Sequence, residues 1–278
     1  MGTLSKAEKA AYNDEIKDIK REVEQIKKSL NEAAIKKKKH PSIESYYNLE
    51  IASYEMDSID SFLKMNDLSV EMLGIKNNSY LENARKQFYL VLQHLEEVVG
   101  DDIDRTLKEN DEYLAHIKKL NPAQILNFVH RMHSLLNKLK IKFGQESKWK
   151  WSFVELQARA AVITRNIISF SDVARLRDPR TEFFNERREL MQLCKESLTE
   201  AAKQYRTKYE MAGKAREDLT ESMNYLAALR KIHVLFGEDT EAIKLKNIID
   251  AAKMALEADD KAKDKDKKNK VREKEARK

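Results

Sequence analysis

Six glycines and three prolines in 278 residues constrain this chain more than any other feature. Average usage puts Gly near about 7% and Pro near about 5% of residues. A β-sandwich or an α/β fold reverses direction often, and its turns draw on these two residues for positive or fixed φ. With so little punctuation, the segments between reversals must be long. Charged residues make up 36% of the chain while 41% is hydrophobic, so a sizeable core is still affordable. High charge with apolar residues at three- and four-residue steps is the pattern of solvent-rich helices. The expected fold class is all-α: an elongated arrangement of long helices with coiled-coil-like packing.

Tyr12, Ile16, Ile19, Val23, Ile26, Leu30 and Ala33 form a heptad seam with charges between them. A helix over about residues 5–39 would be roughly 50 Å long. It ends in Lys36, Lys37, Lys38 and Lys39, which suit the negative end of a helix dipole, and His40-Pro41 breaks it. A second helix is expected from Ser42 to about Leu73. A third opens at Ser79-Tyr80-Leu81-Glu82, which reads as a capping box. Gly100-Asp101-Asp102 then ends that helix or kinks it. Asn121-Pro122-Ala123-Gln124 starts a helix that stops at Gly144. From about Ser147 to Leu176 the row Trp149, Phe153, Leu156, Ala160, Ile163, Ile167, Phe170 and Ala174 runs without a fault. A second row, Trp151, Val154, Ala158, Ala161 and Ile168, lies on another face, so this helix is expected to be central. Asp178-Pro179 is expected to cap the next helix, from about Pro179 to Ala212. Two more follow, about Lys214 to Phe236 and about Asp239 to Ala258, jointed at Gly213 and Gly237. The organisation read from this pattern is a heptad helix over 1–40, a helical arm over 41–144, a second arm over 145–258, and a charged tail over 259–278, helical or disordered. No period of 33, 34 or 40 residues is visible, so the common solenoids are not supported.

The formal net charge is +6, from 53 basic and 47 acidic residues. Most of these interleave at helical spacing, leaving the lysine run and the tail as two basic spots. No helix-turn-helix, RNP or zinc signature accompanies them, so no nucleic acid partner is expected. None of the six histidines, His40, His94, His116, His130, His133 and His233, sits in a Glu-x-x-His motif. His130 and His133 share a helix face but show no third ligand, so no metal site is assigned. His233 falls on an apolar row and reads as a core histidine. Cys194 lies on the row Leu190, Cys194, Leu198 and Ala201, where a buried structural thiol is the default. No nucleophile elbow, P-loop or dinucleotide fingerprint is present. The expectation is a protein with no catalytic residues, no cofactor and no enzymatic activity. Tyr46-Tyr47 and Trp149-x-Trp151 each point their two rings in different directions around a helix. The ring left at the surface is a candidate interface anchor, so Tyr46, Tyr47, Trp149 and Trp151 are the candidate interaction residues. Burial of both members of each pair between several helices is the equal alternative.

One cysteine forms no internal disulfide, and no run approaches the length of a membrane span. No apolar stretch follows Met1, so any signal peptide is expected to have been removed already. Met1-Gly2 recurs in myristoylation starts, but Lys6 stands where Ser or Thr is needed.

The segment Lys148-Trp149-Lys150-Trp151-Ser152-Phe153-Val154-Glu155-Leu156, the stretch Arg175-Leu176-Arg177-Asp178-Pro179-Arg180-Thr181-Glu182-Phe183-Phe184, and the tail Lys261-Ala262-Lys263-Asp264-Lys265-Asp266-Lys267-Lys268 together resemble the flagellar-coiling protein A family of Leptospira-type spirochaetes. The likeness spans nearly the whole chain and rests on general sequence character, not on a short motif. It implies a bent, all-helical fold with two arms and a periplasmic sheath subunit on the endoflagellum. The implied partners are copies of the chain in a lattice, a second flagellar-coiling protein and the flagellin core, with no membrane insertion. Such a sheath, on one side of the filament, would force the supercoil that drives motility. The competing expectation is a cytoplasmic helical adaptor or scaffold, or a membrane-surface protein, using the two basic spots.

Overall fold

The structure, a computed structural model, describes residues 6–276. Met1-Gly2 and the side chains beyond Lys261, Val271 of the tail among them, lie outside the described residues. Within those residues every regular element is helical, as ten α-helices and two short 3-10 turns. The chain is all-α, and it divides into two compact units, Met1–Cys194 and Lys195–Lys278.

In the first unit, α1 (Lys6–Lys39) packs on α2 (Glu44–Leu73), which packs on α3 (Asn78–Val99). The heptad seam closes inside the chain. Ile16 and Val23 meet Met65 of α2 in one core cluster, with Tyr12, Ile19, Phe62 and Tyr80 packed around it. His40 and Pro41 make the reversal: the His40 N–H still bonds to Lys36 O at 3.0 Å, and Pro41 opens the short turn Pro41–Ile43. α2 ends at Gly74, whose φ of 63° is the left-handed cap that favours glycine.

The start of α3 differs from the expected capping box at Ser79. Asn77 is the cap, its side chain accepting from the N–H groups of Ser79 and Tyr80 at 3.1 and 3.3 Å. The Asn77 N–H in turn donates to Asn66 Oδ1 of α2 at 3.0 Å, and this tertiary bond fixes the earlier start. α3 stops at Gly100. Thr106 and Glu109 then close a reciprocal capping box on α4 (Leu107–Leu114), which the sequence reading had passed over. Thr106→Ala is expected to cost about 1 kcal/mol, read as a shift in the chemical-denaturation midpoint. A loss within error would show that α4 does not need its cap. α5 (Pro122–Phe143) starts with the Asn121–Gln124 box and ends at Gly144, as its sequence dictates.

The long helix expected over about residues 147–176 is two helices, α6 (Lys150–Asn166) and α7 (Phe170–Arg175). Tertiary partners stabilise the break where periodicity showed none. Asn110 Nδ2 donates to the freed Ile168 carbonyl at 2.7 Å, and Ser169 caps α7 through the Asp172 N–H. α6 is central, as its two apolar rows require: every residue from Ala160 to Asn166 is buried, with α3 and α5 as neighbours. The expected cap at Asp178-Pro179 also fails. A turn closed by the Thr181 N–H on Asp178 O intervenes, Phe183 adopts a φ of 58°, and α8 runs Phe184–Met211.

The second unit takes the later turns of α8 with α9 (Arg216–Leu235) and α10 (Asp239–Ala276). Tyr209, Leu219, Ala252 and Leu256 make its core with Met223 against them, and Tyr205 stacks on Tyr225 at 5.8 Å. Ion pairs clasp both ends. Lys195 and His233 share Glu238 at one, while Lys214 and the Tyr209 hydroxyl meet Asp259 at the other. The expected tail is helical through Ala276.

Candidate interaction face

The richest polar and aromatic assembly lies along the α3/α6 seam. Trp149 occupies the N-cap position of α6, and the Arg85 guanidinium of α3 sits 3.8 Å from its ring centroid. Arg85 Nη1 also donates to Ser152 Oγ at 3.3 Å, and Lys148 pairs with Glu82 at 3.3 Å. Further along, Arg159 donates from Nε and Nη2 to the two oxygens of Glu96, each at 2.7 Å, while lying 4.3 Å from the Tyr89 ring. Burial lowers the Arg85 pKa, with Glu82 opposing. Burial also works against the Arg159 cation, but its bonds to Glu96 outweigh that and leave its pKa raised. Bidentate pairing of this kind is strong and directional. Trp149 Nε1, Arg85 Nε and Arg159 Nη1 are buried without a protein acceptor, so the seam holds donors in excess. Tyr89 and Leu90 stand exposed beside it. What the strip offers is recognition through stacked rings and fixed cations.

The four residues singled out from the sequence are all half-buried. Trp149 is in the seam. Trp151 has the Lys150 ammonium 5.2 Å from its ring. Tyr46 accepts a hydrogen bond from the Lys119 N–H at 3.0 Å, tying α2 to the loop before α5, and Tyr47 stacks against His40 at 6.3 Å. The tyrosines therefore serve a different part of the unit from Trp149. In the basic run, Lys37 pairs with Glu97 at 2.5 Å while Lys36, Lys38 and Lys39 are exposed.

Two buried polar groupings were not singled out from the sequence. Glu55 of α2 is 4% exposed, and its Oε1 lies 3.8 Å from His94 Nε2 of α3. His94 Nδ1 sits 3.3 Å from Asn48 Oδ1, which assigns the proton to Nδ1 and leaves Nε2 as acceptor. Burial pushes the Glu55 carboxyl up to about 8. Burial lowers His94, with Glu97 raising it and Lys37 lowering it further. An uncharged acid therefore faces an uncharged imidazole. The second grouping surrounds Arg165, which donates to the Arg105 carbonyl at 2.6 Å and to Asn166 Oδ1 at 2.7 Å. Asn166 bonds the carbonyls of Gly100 and Asp102 at 3.0 and 3.2 Å, and burial lowers the Arg165 pKa. Both groupings lie at apolar-row spacing, so only their residue types, a Glu or an Arg where Leu would fit, could have flagged them.

Two of the cavities in the first unit bear on the candidate residues. The larger, about 470 Å³, is lined mainly by aliphatic side chains such as Leu114, Ile125, Ile168 and Leu190. Its carboxylates are engaged: Asp111 accepts from Ser171 at 2.9 Å, and Asp172 from Arg175 at 2.7 Å. The smaller, about 380 Å³, takes in His130 and His133. Those two histidines have separate partners, since His130 Nε2 meets Glu189 at 3.1 Å and His133 Nε2 meets Thr164 Oγ1 at 2.8 Å. Burial, then His130 and Lys140, takes His133 down to about 4. Neither cavity is lined by Glu55 or His94.

Among the described residues no helix is long and apolar enough to cross a membrane. A profile of the TP0443 family, whose name derives from Treponema, matches residues 8–260. No curated protein and no solved structure matches the chain. With nearly its whole length inside that match, the chain belongs to the spirochaete-associated TP0443 family.

Proposed function

We propose that this chain is a structural protein of the spirochaete periplasm that works by assembly and not by catalysis. In its most specific form it is a sheath subunit of the periplasmic flagellar filament. Copies assemble laterally, with a second flagellar-coiling protein, around the flagellin core and impose the supercoil needed for motility. Membership of a spirochaete-associated family by a chain of long helices carries the reading. α1 supports it physically. Its apolar seam is spent on α2, and its outer face is charged, with i,i+3 pairs such as Asp18–Arg21 and Glu24–Lys27. Such faces make weak polar contacts singly and gain avidity through repetition. Glu55, 4% exposed, lines neither of the two cavities described above, so it is not read as a catalytic acid.

The test is to shear and purify periplasmic filaments from the source organism and to quantify this chain by mass spectrometry. Abundance comparable to flagellin, with release by mild treatment that spares the core, is expected. Clean filaments without the chain, and the chain in the cytosolic fraction, would overturn the sheath reading.

A further inference from the structure

α10 buries Ala242, Ala252 and Leu256 in the second unit's core. Apart from Lys244 and Asn247, its outer side is more apolar than a solvent-facing helix normally is. Ile243, Ile248 and Met254 are 60%, 42% and 72% exposed, and Ala251, Ala255 and Ala258 stand exposed among them. A helix apolar on two sides has a neighbour on both. Here α8 and α9 cover the inner side, and no described residue covers the outer one.

We propose that a second copy of this chain docks on the outer face of α10, antiparallel and related by a two-fold axis. The charges along one edge of that face commit it to a second copy. Lys246, Asp250, Lys253 and Glu257 follow helical steps and alternate in sign, positive to negative. Read backwards, the order is negative to positive, the complement of itself. An antiparallel copy thus sets Lys246 against the second copy's Glu257 and Asp250 against its Lys253. The axis then passes between residues 251 and 252, and the same register puts Ile248 against Ala255. A parallel copy in register would set like charges together. Within the chain the Asp250–Lys253 pair is loose at 4.0 Å, so both groups are available to a partner. Alanines near the axis let two helices approach closely. The pairing is isologous, as two-fold interfaces are.

One helix pair buries less than the about 1,600 Å² of a standard interface, so the dimer forms in the range of about 10–100 µM. The inference stands apart from the sheath reading. A chain never found on a filament can pair this way, and filament composition carries no information about α10.

Sedimentation equilibrium on the full chain, from about 5 to about 500 µM at low ionic strength, reads the pairing directly. Monomer–dimer behaviour is expected. Met254→Glu weakens it at least about tenfold with the helical circular dichroism unchanged, because the side chain is at the surface. Lys246→Glu alone weakens it about tenfold, and the double swap Lys246→Glu with Glu257→Lys restores it to within about threefold. A monomer throughout the range overturns the proposal. So does a dimer indifferent to Met254→Glu, or a double swap no tighter than the single.

Discussion

Gly100→Ala is expected to destabilise the first unit by about 4 kcal/mol, the largest loss from a methyl group added at any glycine among the described residues. Gly100 combines a φ of 74° with a ψ of 166°, a region essentially confined to glycine. A Cβ built there would lie 1.7 Å from Arg105 Nη2 and 2.9 Å from its Cζ. The guanidinium has nowhere to retreat. Arg105 is 6% exposed, donates to the Val99 carbonyl, and lies 3.8 Å from the Tyr113 ring. Its own carbonyl accepts from Arg165, and the Gly100 carbonyl accepts from Asn166, so a shift of this loop also strips partners from α6. Backbone strain accounts for about 1–3 kcal/mol, and the loss of a buried charged bond for about 1.5–3. Gly74→Ala is the control. That residue has a φ of 63° and nothing near the added Cβ, so the left-handed backbone alone costs about 1–2 kcal/mol. Both tryptophans, Trp149 and Trp151, belong to the first unit, so a urea titration followed by tryptophan fluorescence reports that unit. Equal losses for the two variants would mean that Arg105 gives way freely.

The same loop shows what the sequence does and does not disclose. Wherever a local rule decides, the reading is legible. Asn121 and Gln124 cap α5 with backbone groups three residues away, and the heptad of α1 buries the face that its spacing marks. The seam could not disclose its partner, because a 3.5-residue repeat fits a neighbour in the chain as well as a second copy; Met65 and Phe62 of α2 supply the answer. The break after Asn166 defeated periodicity for a related reason. Ile167 and Phe170 stay buried on both sides of it, so the apolar row continues while the hydrogen-bond ladder does not. What permits the break is Asn110, far back in sequence, donating to Ile168. For the candidate face, Trp149 was visible as a residue, but its setting was not. Arg85 reaches its ring only because α3 and α6 pack together, and no spacing along the chain encodes that meeting.

Glu55→Gln is expected to stabilise the protein on the order of 5 kcal/mol above pH 8 and to change little near pH 4.5, an effect that follows from linkage. The wild-type carboxyl has its pKa raised by burial from 4.5 to about 8. Between those values the unfolded chain has already released the proton that the folded chain still holds. Stability therefore falls as pH rises from 4.5, and the loss is complete above about 8. Glutamine keeps the shape of the neutral acid, cannot ionise, and still offers an N–H toward His94 Nε2. His94 remains lowered in the variant, because burial and not Glu55 leads its shift. The histidines act in the opposite sense. His133, lowered from 6.5 to about 4, contributes stability that is present above 6.5 and lost as pH falls toward 4, and His94 shares that direction. Above 6.5 only Glu55 among these groups is titrating, so acidification stabilises the wild type; below it, two histidine losses oppose one carboxyl gain. These groups place the wild-type optimum near the upper end of the histidine range. Removing Glu55 leaves a plateau extending to higher pH. Thermal midpoints measured from pH 4.5 to pH 9 separate the possibilities: curves that converge at acid pH and diverge at alkaline pH bear out a neutral buried acid. A variant weaker by a constant amount at every pH would instead mean that the Glu55 carboxyl has the same pKa in the folded and unfolded chain.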